Sequence, residues 1–384
     1  MGDGLRAVVV GTGMIGAVHA TAIRAAGGEL AGVVASTPRR SARVAEEWGV
    51  PGRYPDFAAV LADDSVRVVH VCTPNALHVP QAEAALRAGK HVVCEKPLAT
   101  SVADAGRLTT LAQRAGLVLA VPFVYRYHPL VREIRDRRLR GEFGAWQLIH
   151  GSYLQDWMLS EDVSSWRVDP DEGGPSRAFA DIGSHWCDLV EWVAGVRFGE
   201  VSARLGTTIR SRPAGPGSSF SAAVDGPRVA VRTEDVATVL VRTSDGVLGT
   251  LTVSQVSAGR KNRLWFELDG AWASAVFDQE QPETAWLGGQ DGARVIVRDP
   301  QHGSAEQRRL SRLPAGHTQG YADCFTSFVA DAHTTIRSGI APDGLPTGAD
   351  GLRSARIVEA VLRSADTLAW TDVPDTSPDQ EVTP

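Results

Sequence analysis

The sequence predicts an α/β protein in two parts: a doubly wound parallel sheet over residues 1–125, and a second α/β domain over 126–384. Three observations predict it. An apolar run, Ala7 to Val10, leads straight into Gly11-Thr12-Gly13-Met14-Ile15-Gly16 and then a helical pattern through about Ala26. Apolar runs of strand length then alternate with helical patterns as far as Val121. From Val196 onward, short alternating stretches separated by turn signals read as sheet.

The bulk properties set the frame. The 384 residues suffice for two domains with cores of their own. Hydrophobic residues at 43% and charged residues at 22% are ordinary for a globular chain. A net charge of −6 offers no broad basic surface, which argues against a nucleic-acid partner. No apolar run reaches membrane-spanning length, and the run at residues 7–10 ends in glycines rather than an export signal. Cys72, Cys94, Cys187 and Cys324 show no paired spacing, so reduced, buried thiols are expected, in a cytoplasmic protein.

The glycine motif is G-x-G-x-x-G in the context it requires, with a strand before and a helix after. The first glycine makes the turn, the second admits a pyrophosphate to the backbone, and the third lets helix and strand pack closely. Gly11, Thr12, Gly13, Met14, Ile15 and Gly16 are therefore cofactor candidates. A second strand, Leu30 to Ala35, completes the unit. Its end lacks the acidic residue that holds a ribose 2′-hydroxyl and reads Ser36-Thr37-Pro38-Arg39-Arg40 instead. Hydroxyls and guanidinium groups suit a 2′-phosphate, so Ser36, Thr37 and Arg40 favour NADP(H) over NAD(H). The same arginines also fit the solvated start of a helix over Ser41 to Trp48.

A helix over Phe57 to Leu61 and a strand over Val66 to Cys72 lead into Thr73-Pro74-Asn75-Ala76-Leu77-His78. This polar turn belongs beside the nicotinamide or the pyrophosphate, although Asn75 and His78 would also serve as helix caps. His78 with His70 or His91 matches no metal-ligand spacing, and no metal is expected. After a helix over Pro80 to Ala88, the strand ending at Cys94 delivers Glu95-Lys96-Pro97. Only three of 39 basic residues are lysine (Lys90, Lys96 and Lys261), so a lysine at this strand end hints that an ammonium is needed. Open α/β sheets bind their ligands at such carboxyl ends. A helix over Val102 to Ala115 and a strand over Val118 to Val121 close the first half.

Together G-T-G-M-I-G, C-T-P-N-A-L-H and C-E-K-P-L-A resemble the glucose–fructose oxidoreductase/inositol dehydrogenase (Gfo/Idh/MocA) family. The resemblance implies an N-terminal Rossmann domain followed by an α/β domain built on an open, mainly antiparallel sheet. It also implies a nicotinamide cofactor, with Thr73, Pro74, Asn75, His78, Glu95 and Lys96 lining its site.

In the second half a linking helix, Leu130 to Leu139, precedes a strand over Ala145 to Tyr153 and a polar, aromatic loop. A helix beginning near Asp181 would place Asp181, His185 and Asp188 on one face, a histidine flanked by carboxylates and suited to proton transfer. An N-capped helix with a surface histidine fits the spacing equally well. The resemblance extends here: Asp181 and His185 match the family's D-x-x-x-H, and Trp166-Arg167 resembles an element that reaches the cofactor from the second domain. The chain departs from the family at Pro175-Ser176-Arg177, where many members continue a glycine run, so substrate identity does not carry over.

Strands are expected at Thr233 to Arg242, Val247 to Ser254, Arg263 to Leu268, Trp272 to Phe277, Thr284 to Leu287 and Ala293 to Arg298. Residues 211–228 read as a mobile surface loop, and Asp372 to Pro384 as a frayed acidic tail. Amphipathic helices over Gln319 to Arg337 and Leu352 to Leu368 either cover the sheet or return to the first domain. The resemblance implies a homodimer or homotetramer formed through the sheet, with Trp265, Trp272 and Trp286 as interface or core residues.

The expected chemistry is hydride exchange between the nicotinamide and a hydroxyl or keto carbon of a sugar or cyclitol. His185 moves the hydroxyl proton, Lys96 stabilises the alkoxide, and Asp181 orients them. Tyr125, Arg126, Gln155, Asp156 and Trp157 are candidates for contacting the substrate. Two other classes fit the same residues: a non-catalytic dinucleotide sensor, and a glycoside-processing enzyme that uses its cofactor transiently.

Overall fold

The computed structural model describes residues 4–213 and 226–375, which divide into two compact units. Unit 1 comprises residues 1–124 together with Tyr321–Ala355, and unit 2 comprises Tyr125–Gly320 and the remainder. The expected division at 125/126 placed all of 126–384 in one domain, whereas Tyr321–Ala355 packs with the first. Among the described residues no helix is long and apolar enough to cross a membrane.

In unit 1 the chain runs β1 (Arg6–Val10), α1 (Met14–Ala25), β2 (Glu29–Val34), α2 (Pro38–Glu47), β3 (Gly52–Arg53), α3 (Phe57–Ala62), β4 (Val68–Val71), α4 (His78–Arg87), β5 (His91–Cys94), α5 (Val102–Ala115) and β6 (Leu119–Ala120). The strands form one parallel sheet in the order β3-β2-β1-β4-β5-β6, the doubly wound arrangement. Strands β1, β4 and β5 are buried on both faces, which explains their unbroken apolar runs. Helix boundaries follow local chemistry. Ser101 caps α5 by accepting from the Asp104 N–H at 3.1 Å, and Gly116 ends it in the left-handed conformation.

Register decides where the ligand end of this sheet lies. Val10, Val71 and Cys94 align across β1, β4 and β5. Gly11, Cys72 and Glu95 thus leave the sheet side by side, with β1 and β5 roughly 10 Å apart, two strand spacings. The returning segment brings α10 (Tyr321–Ser338) against α1, where Phe325 meets His19 edge to face at 5.0 Å. Thr109 Oγ1 donates to Gly348 O at 2.9 Å, and Val121 N to Pro346 O at 3.1 Å.

Unit 2 is organised on a sheet of nine strands. In chain order its elements are α6 (Pro129–Leu139), β7 (Trp146–Leu154), α7 (Pro170–Gly173), α8 (Ser184–Ala194), β8 (Phe198–Gly206), β9 (Ser211–Pro213), β10 (Arg228–Ala230), β11 (Val236–Thr243), β12 (Leu248–Ser254), β13 (Arg263–Gly270), β14 (Ala273–Asp278), β15 (Thr284–Gly289), β16 (Gly292–Val297) and α9 (Ala305–Leu310). The long helix α11 (Gly348–Thr367), which belongs to unit 1 as far as Ala355 and to unit 2 from Arg356, and β17 (Thr371–Asp372) follow. The strand order is β16-β15-β14-β13-β7-β12-β11-β8-β17, antiparallel except for the parallel β7–β12 pair. One face is covered by α8, which is buried nearly throughout and donates from Trp186 Nε1 to Trp265 O at 2.9 Å. Strand β11 alternates accordingly, with Ala237, Val239 and Val241 inside and Leu240 46% exposed.

Two segments read as irregular carry structure at their edges. Ser211–Pro213 and Arg228–Ala230 pair as an antiparallel ribbon, and residues 214–225 of the expected mobile loop lie outside the described residues. Thr371 and Asp372 pair with β8, while 376–384 of the expected tail lie outside the described residues.

Candidate active site

Unit 1 supplies a glycine turn and a lysine on the same edge of its sheet. Gly11 has φ +100°, and a side chain there would sit 2.3 Å from Cys72 O. A Cβ on Gly16 would sit 2.1 Å from Gly11 O, so the turn and α1 meet at backbone distance. Around Gly13, by contrast, a Cβ meets nothing within 4 Å. Gly13 is also the N-cap of α1 and has no side chain to cap the first-turn N–H groups. Thr12 and Ile15 are half-buried and Met14 is 51% exposed. An open backbone turn ahead of uncapped N–H groups at the start of a twelve-residue helix fits a pyrophosphate.

At the end of β2, Ser36, Thr37, Arg39 and Arg40 are exposed. Thr37 doubles as the N-cap of α2, its Oγ1 accepting from the Arg40 N–H at 3.2 Å. The turn after β4 is half-buried at Thr73, Pro74 and Asn75, and the Thr73 hydroxyl bonds Gln81 Oε1 at 2.7 Å. His78 is turned inward and 1% exposed, with Nδ1 2.8 Å from Pro97 O and Nε2 2.8 Å from Thr73 O. Glu95 also faces the interior, where Oε1 meets His19 Nε2 at 2.9 Å and Oε2 accepts from the Lys96 N–H at 3.2 Å. Lys96 itself is half-buried. Buried Lys90 donates to Asp63 O at 2.8 Å, and exposed Lys261 pairs with Asp156 at 2.7 Å.

Unit 2 gathers the second set around the start of α8. The chain enters this helix through a π-helical turn, Phe179–Gly183. That wider turn alters the spacing between Asp181 and His185, while His185 and Asp188 keep their i, i+3 relation in the regular helix. Asp181 Oδ2 accepts from Gln255 Nε2 at 2.8 Å, and its Oδ1 lies 3.6 Å from Arg167 Nε. Arg167 stacks over Trp166 at 4.4 Å. Asp188 instead pairs with Arg126, whose Nε donates to Oδ2 at 2.8 Å. Arg126, expected at the substrate, is only 5% exposed and stacks 5.5 Å from the Trp192 ring. A guanidinium buried that deeply is stabilised by a carboxylate, and the structure holds Arg126 and Asp188 as an ion pair.

His185 is 7% exposed and meets Tyr125 edge to face at 5.0 Å. Tyr125 opens a chain of polar groups: its hydroxyl lies 2.5 Å from Tyr153 OH, which donates to Asn262 Oδ1 at 2.7 Å. Gln155 Nε2 donates to the same Asn262 oxygen at 2.8 Å, and Gln155 Oε1 accepts from Trp157 Nε1 at 2.9 Å. Asp156 stands apart from this chain; the ammonium of Lys261 and the Gly259 N–H hold its carboxyl below the usual range. Of the expected substrate residues, the structure thus links Tyr125, Gln155 and Trp157 in one polar chain, whose Tyr125 end meets His185. Tyr153 and Asn262 join them, and Gln255 holds Asp181, without having been singled out. Each sits at a strand end or just past one, a position where sheet-borne sites concentrate.

Below these groups lies a fully buried ion cluster. Arg177 pairs with Asp235, and Arg212 sits 3.7 Å from the same carboxylate. Burial opposes ionisation of Asp235, but Arg177 and the N–H of Ile209 outweigh it and hold the pKa below the usual carboxylate value. Arg212 also donates to the carbonyls of Met158, Ser160 and Val163, the loop that follows Trp157. Glu234 accepts from Ser176 Oγ at 2.8 Å and from the N–H of Phe179 at 2.8 Å, tethering the turn that carries Asp181. The Ser176 and Arg177 that replace a family glycine run are therefore used as anchors.

Comparison with known proteins agrees with this architecture. Residues 5–123 match the model of an oxidoreductase family with an NAD-binding Rossmann fold, and residues 131–276 match the GFO/IDH/MocA C-terminal domain. Levoglucosan dehydrogenase of Pseudarthrobacter phenanthrenivorans is 30% identical over 358 residues, 90% of each chain. A D-xylose 1-dehydrogenase (NADP(+)) of Haloferax volcanii is 29% identical over 278 residues, 70% of this chain and 83% of that one. A solved levoglucosan dehydrogenase in complex with NADH and L-sorbose superposes with a TM-score of 0.89 at 28% identity, covering 97% of this chain and 99% of that one. The chain belongs to the GFO/IDH/MocA oxidoreductase family.

Proposed function

We propose that this protein is an NAD(P)-dependent oxidoreductase that transfers hydride between nicotinamide and a hydroxyl or keto carbon of a sugar, sugar derivative or cyclitol. The observation that carries the reading is the shared register of β1, β4 and β5, which sets the glycine turn and Lys96 on one edge of the parallel sheet. That edge is where open α/β sheets bind ligands. The names of the relatives point to sugars as the substrate class.

When bound, the nicotinamide supplies the hydride acceptor or donor. Lys96 donates a hydrogen bond to the substrate oxygen and stabilises the charge it develops as the proton leaves. His185 accepts that proton in oxidation and returns it in reduction, its ring held edge-on by Tyr125. Asp181, fixed by Gln255, orients the substrate or its catalytic neighbours. Tyr125, Gln155 and Trp157 present aromatic faces and amide groups suited to a polyhydroxylated ring. Trp166 and Arg167 serve the cofactor.

Ser36, Thr37 and Arg40 support NADP(H) as the preferred form, because no carboxylate stands among them. Ser36→Asp tests this. A carboxylate facing a 2′-phosphate repels it, and each 1.4 kcal/mol of repulsion is about tenfold in affinity. The ratio of kcat/KM for NADP(H) over NAD(H) is expected to fall about tenfold or more. An unchanged ratio removes Ser36 from the adenosine ribose.

Four buried cysteine thiols suit a cytoplasmic protein. We place a homo-oligomer contact on the open face of the sheet, which exposes Trp286 at 36% and its cross-strand partner Val295 at 62%. The functional reading is tested by following absorbance of the reduced nicotinamide over a panel of sugars, inositols and their keto forms with both cofactors. No turnover on any of them would count against it.

A further inference from the structure

The residues on either side of Lys96 are each tied to a buried histidine from a different helix. His19, in α1, has no exposed surface; its Nε2 lies 2.9 Å from Glu95 Oε1 and its Nδ1 2.9 Å from His70 Nδ1. A carboxylate at the first position accepts from Nε2–H, so Nδ1 is left to accept from the Nδ1–H of His70. Glu95 then uses its second oxygen to hold the Lys96 N–H. On the other side, His78 in the first turn of α4 reaches Pro97 O with one ring nitrogen and Thr73 O with the other. Thr73 lies just beyond β4, the strand between the glycine turn and Lys96.

Neither ring is placed to meet a ligand. Both nitrogens of His19 face protein groups, and both nitrogens of His78 face backbone carbonyls. Burial pulls the His78 pKa below the ordinary histidine value, while the carbonyls of Pro97 and Thr73 pull the other way. A neutral ring donates to one of those carbonyls and a protonated ring to both. In either state the side chain spans the exits of β4 and β5.

We propose that His19 and His78 are positioning residues that clamp the Glu95–Lys96–Pro97 corner and so aim the Lys96 ammonium, rather than ligands of the cofactor. This rests on the function proposed above, in which Lys96 acts on the substrate oxygen. Catalytic geometry is steep in distance: a misplacement of about 1 Å can cost on the order of 100-fold in rate. Loosening the corner should therefore act on turnover and spare dinucleotide binding.

The test uses His78→Phe, which keeps a flat ring but no donor, and His78→Gln, which keeps an N–H for one carbonyl. Turnover at saturating cofactor is expected to fall about 10- to 100-fold in His78→Phe. The dissociation constant of the dinucleotide, read from tryptophan quenching, should stay within about threefold. His78→Gln should recover much of the lost rate, and His19→Gln should parallel it. Weaker dinucleotide binding with unchanged saturated turnover overturns the proposal, since it makes His78 a cofactor ligand. Equal rates in wild type and both variants also overturn it. If the wild type turns over no substrate in the panel, the functional reading fails and the clamp is judged on a crystal structure of His78→Phe. A displaced Lys96 backbone supports the clamp there, and an unmoved one overturns it.

Discussion

Lys96→Ala and His185→Ala are each expected to lower turnover by orders of magnitude while leaving dinucleotide affinity within a few-fold. The two losses have different origins. Removing a preorganised donor to a developing oxyanion costs roughly 10²- to 10³-fold, or about 3–4 kcal/mol. Removing a positioned general base costs typically about 10²- to 10⁴-fold. Lys96→Arg should not restore the rate, because a planar fork on a longer stem does not replace a compact ammonium at a half-buried strand end. Lys96 follows β5, whereas the glycine turn follows β1, so the dinucleotide keeps its helix terminus in both variants. Steady-state kinetics with a responding sugar, alongside cofactor titration by fluorescence, separates the two quantities. Wild-type turnover in either variant removes the mechanism. A loss confined to cofactor affinity moves both residues from chemistry to binding.

How much of this was legible beforehand depends on how local each signal is. The glycine turn and the Glu95-Lys96-Pro97 corner are short segments whose chemistry and strand context can be read together. The wound sheet shows equally clearly in the apolar runs of β1, β4 and β5. The pairing of Asp188 was not legible because i, i+3 spacing from His185, which the regular turns of α8 keep, does not name the group a side chain meets. Its partner Arg126 is 62 residues away, beyond what spacing encodes. Gln255 and Asn262 escaped notice for a similar reason. They reach Asp181 and Tyr153 from 74 and 109 residues away, through a sheet whose parallel β7–β12 pairing no hairpin signal announces. The helix over Tyr321–Ser338 was legible as amphipathic, but an apolar stripe does not name the surface that covers it. Its packing, with Phe325 on His19 and His333 beside His70, assigns it to unit 1.

Asp235→Ala should destabilise unit 2 by about 3–5 kcal/mol, the cost of breaking a buried pair by removing one partner. Asp235, Arg177 and Arg212 have no exposed side-chain surface, so the variant leaves two guanidinium groups facing a void that water does not fill cheaply. The same carboxylate also accepts from the N–H groups of Thr208 and Ile209 at 2.7 and 2.9 Å, and these lose their partner too. Asp235→Asn keeps the shape and part of this bonding, and should fall between wild type and alanine in a urea titration. The pH dependence has a definite sign. Because the folded pKa of Asp235 is depressed, its contribution is complete above the ordinary carboxylate value of about 3.9 and is lost as pH falls through the lower folded value. The alanine variant should therefore lose less stability than wild type on acidification through that range. The site should feel the change as well, since Gln255 N donates to Asp235 O at 3.0 Å and the adjoining Glu234 tethers the turn bearing Asp181. A denaturation midpoint equal to wild type in Asp235→Ala would mean that Arg177 and Arg212 find other acceptors, and that the cluster does not hold the Asp181 turn in place.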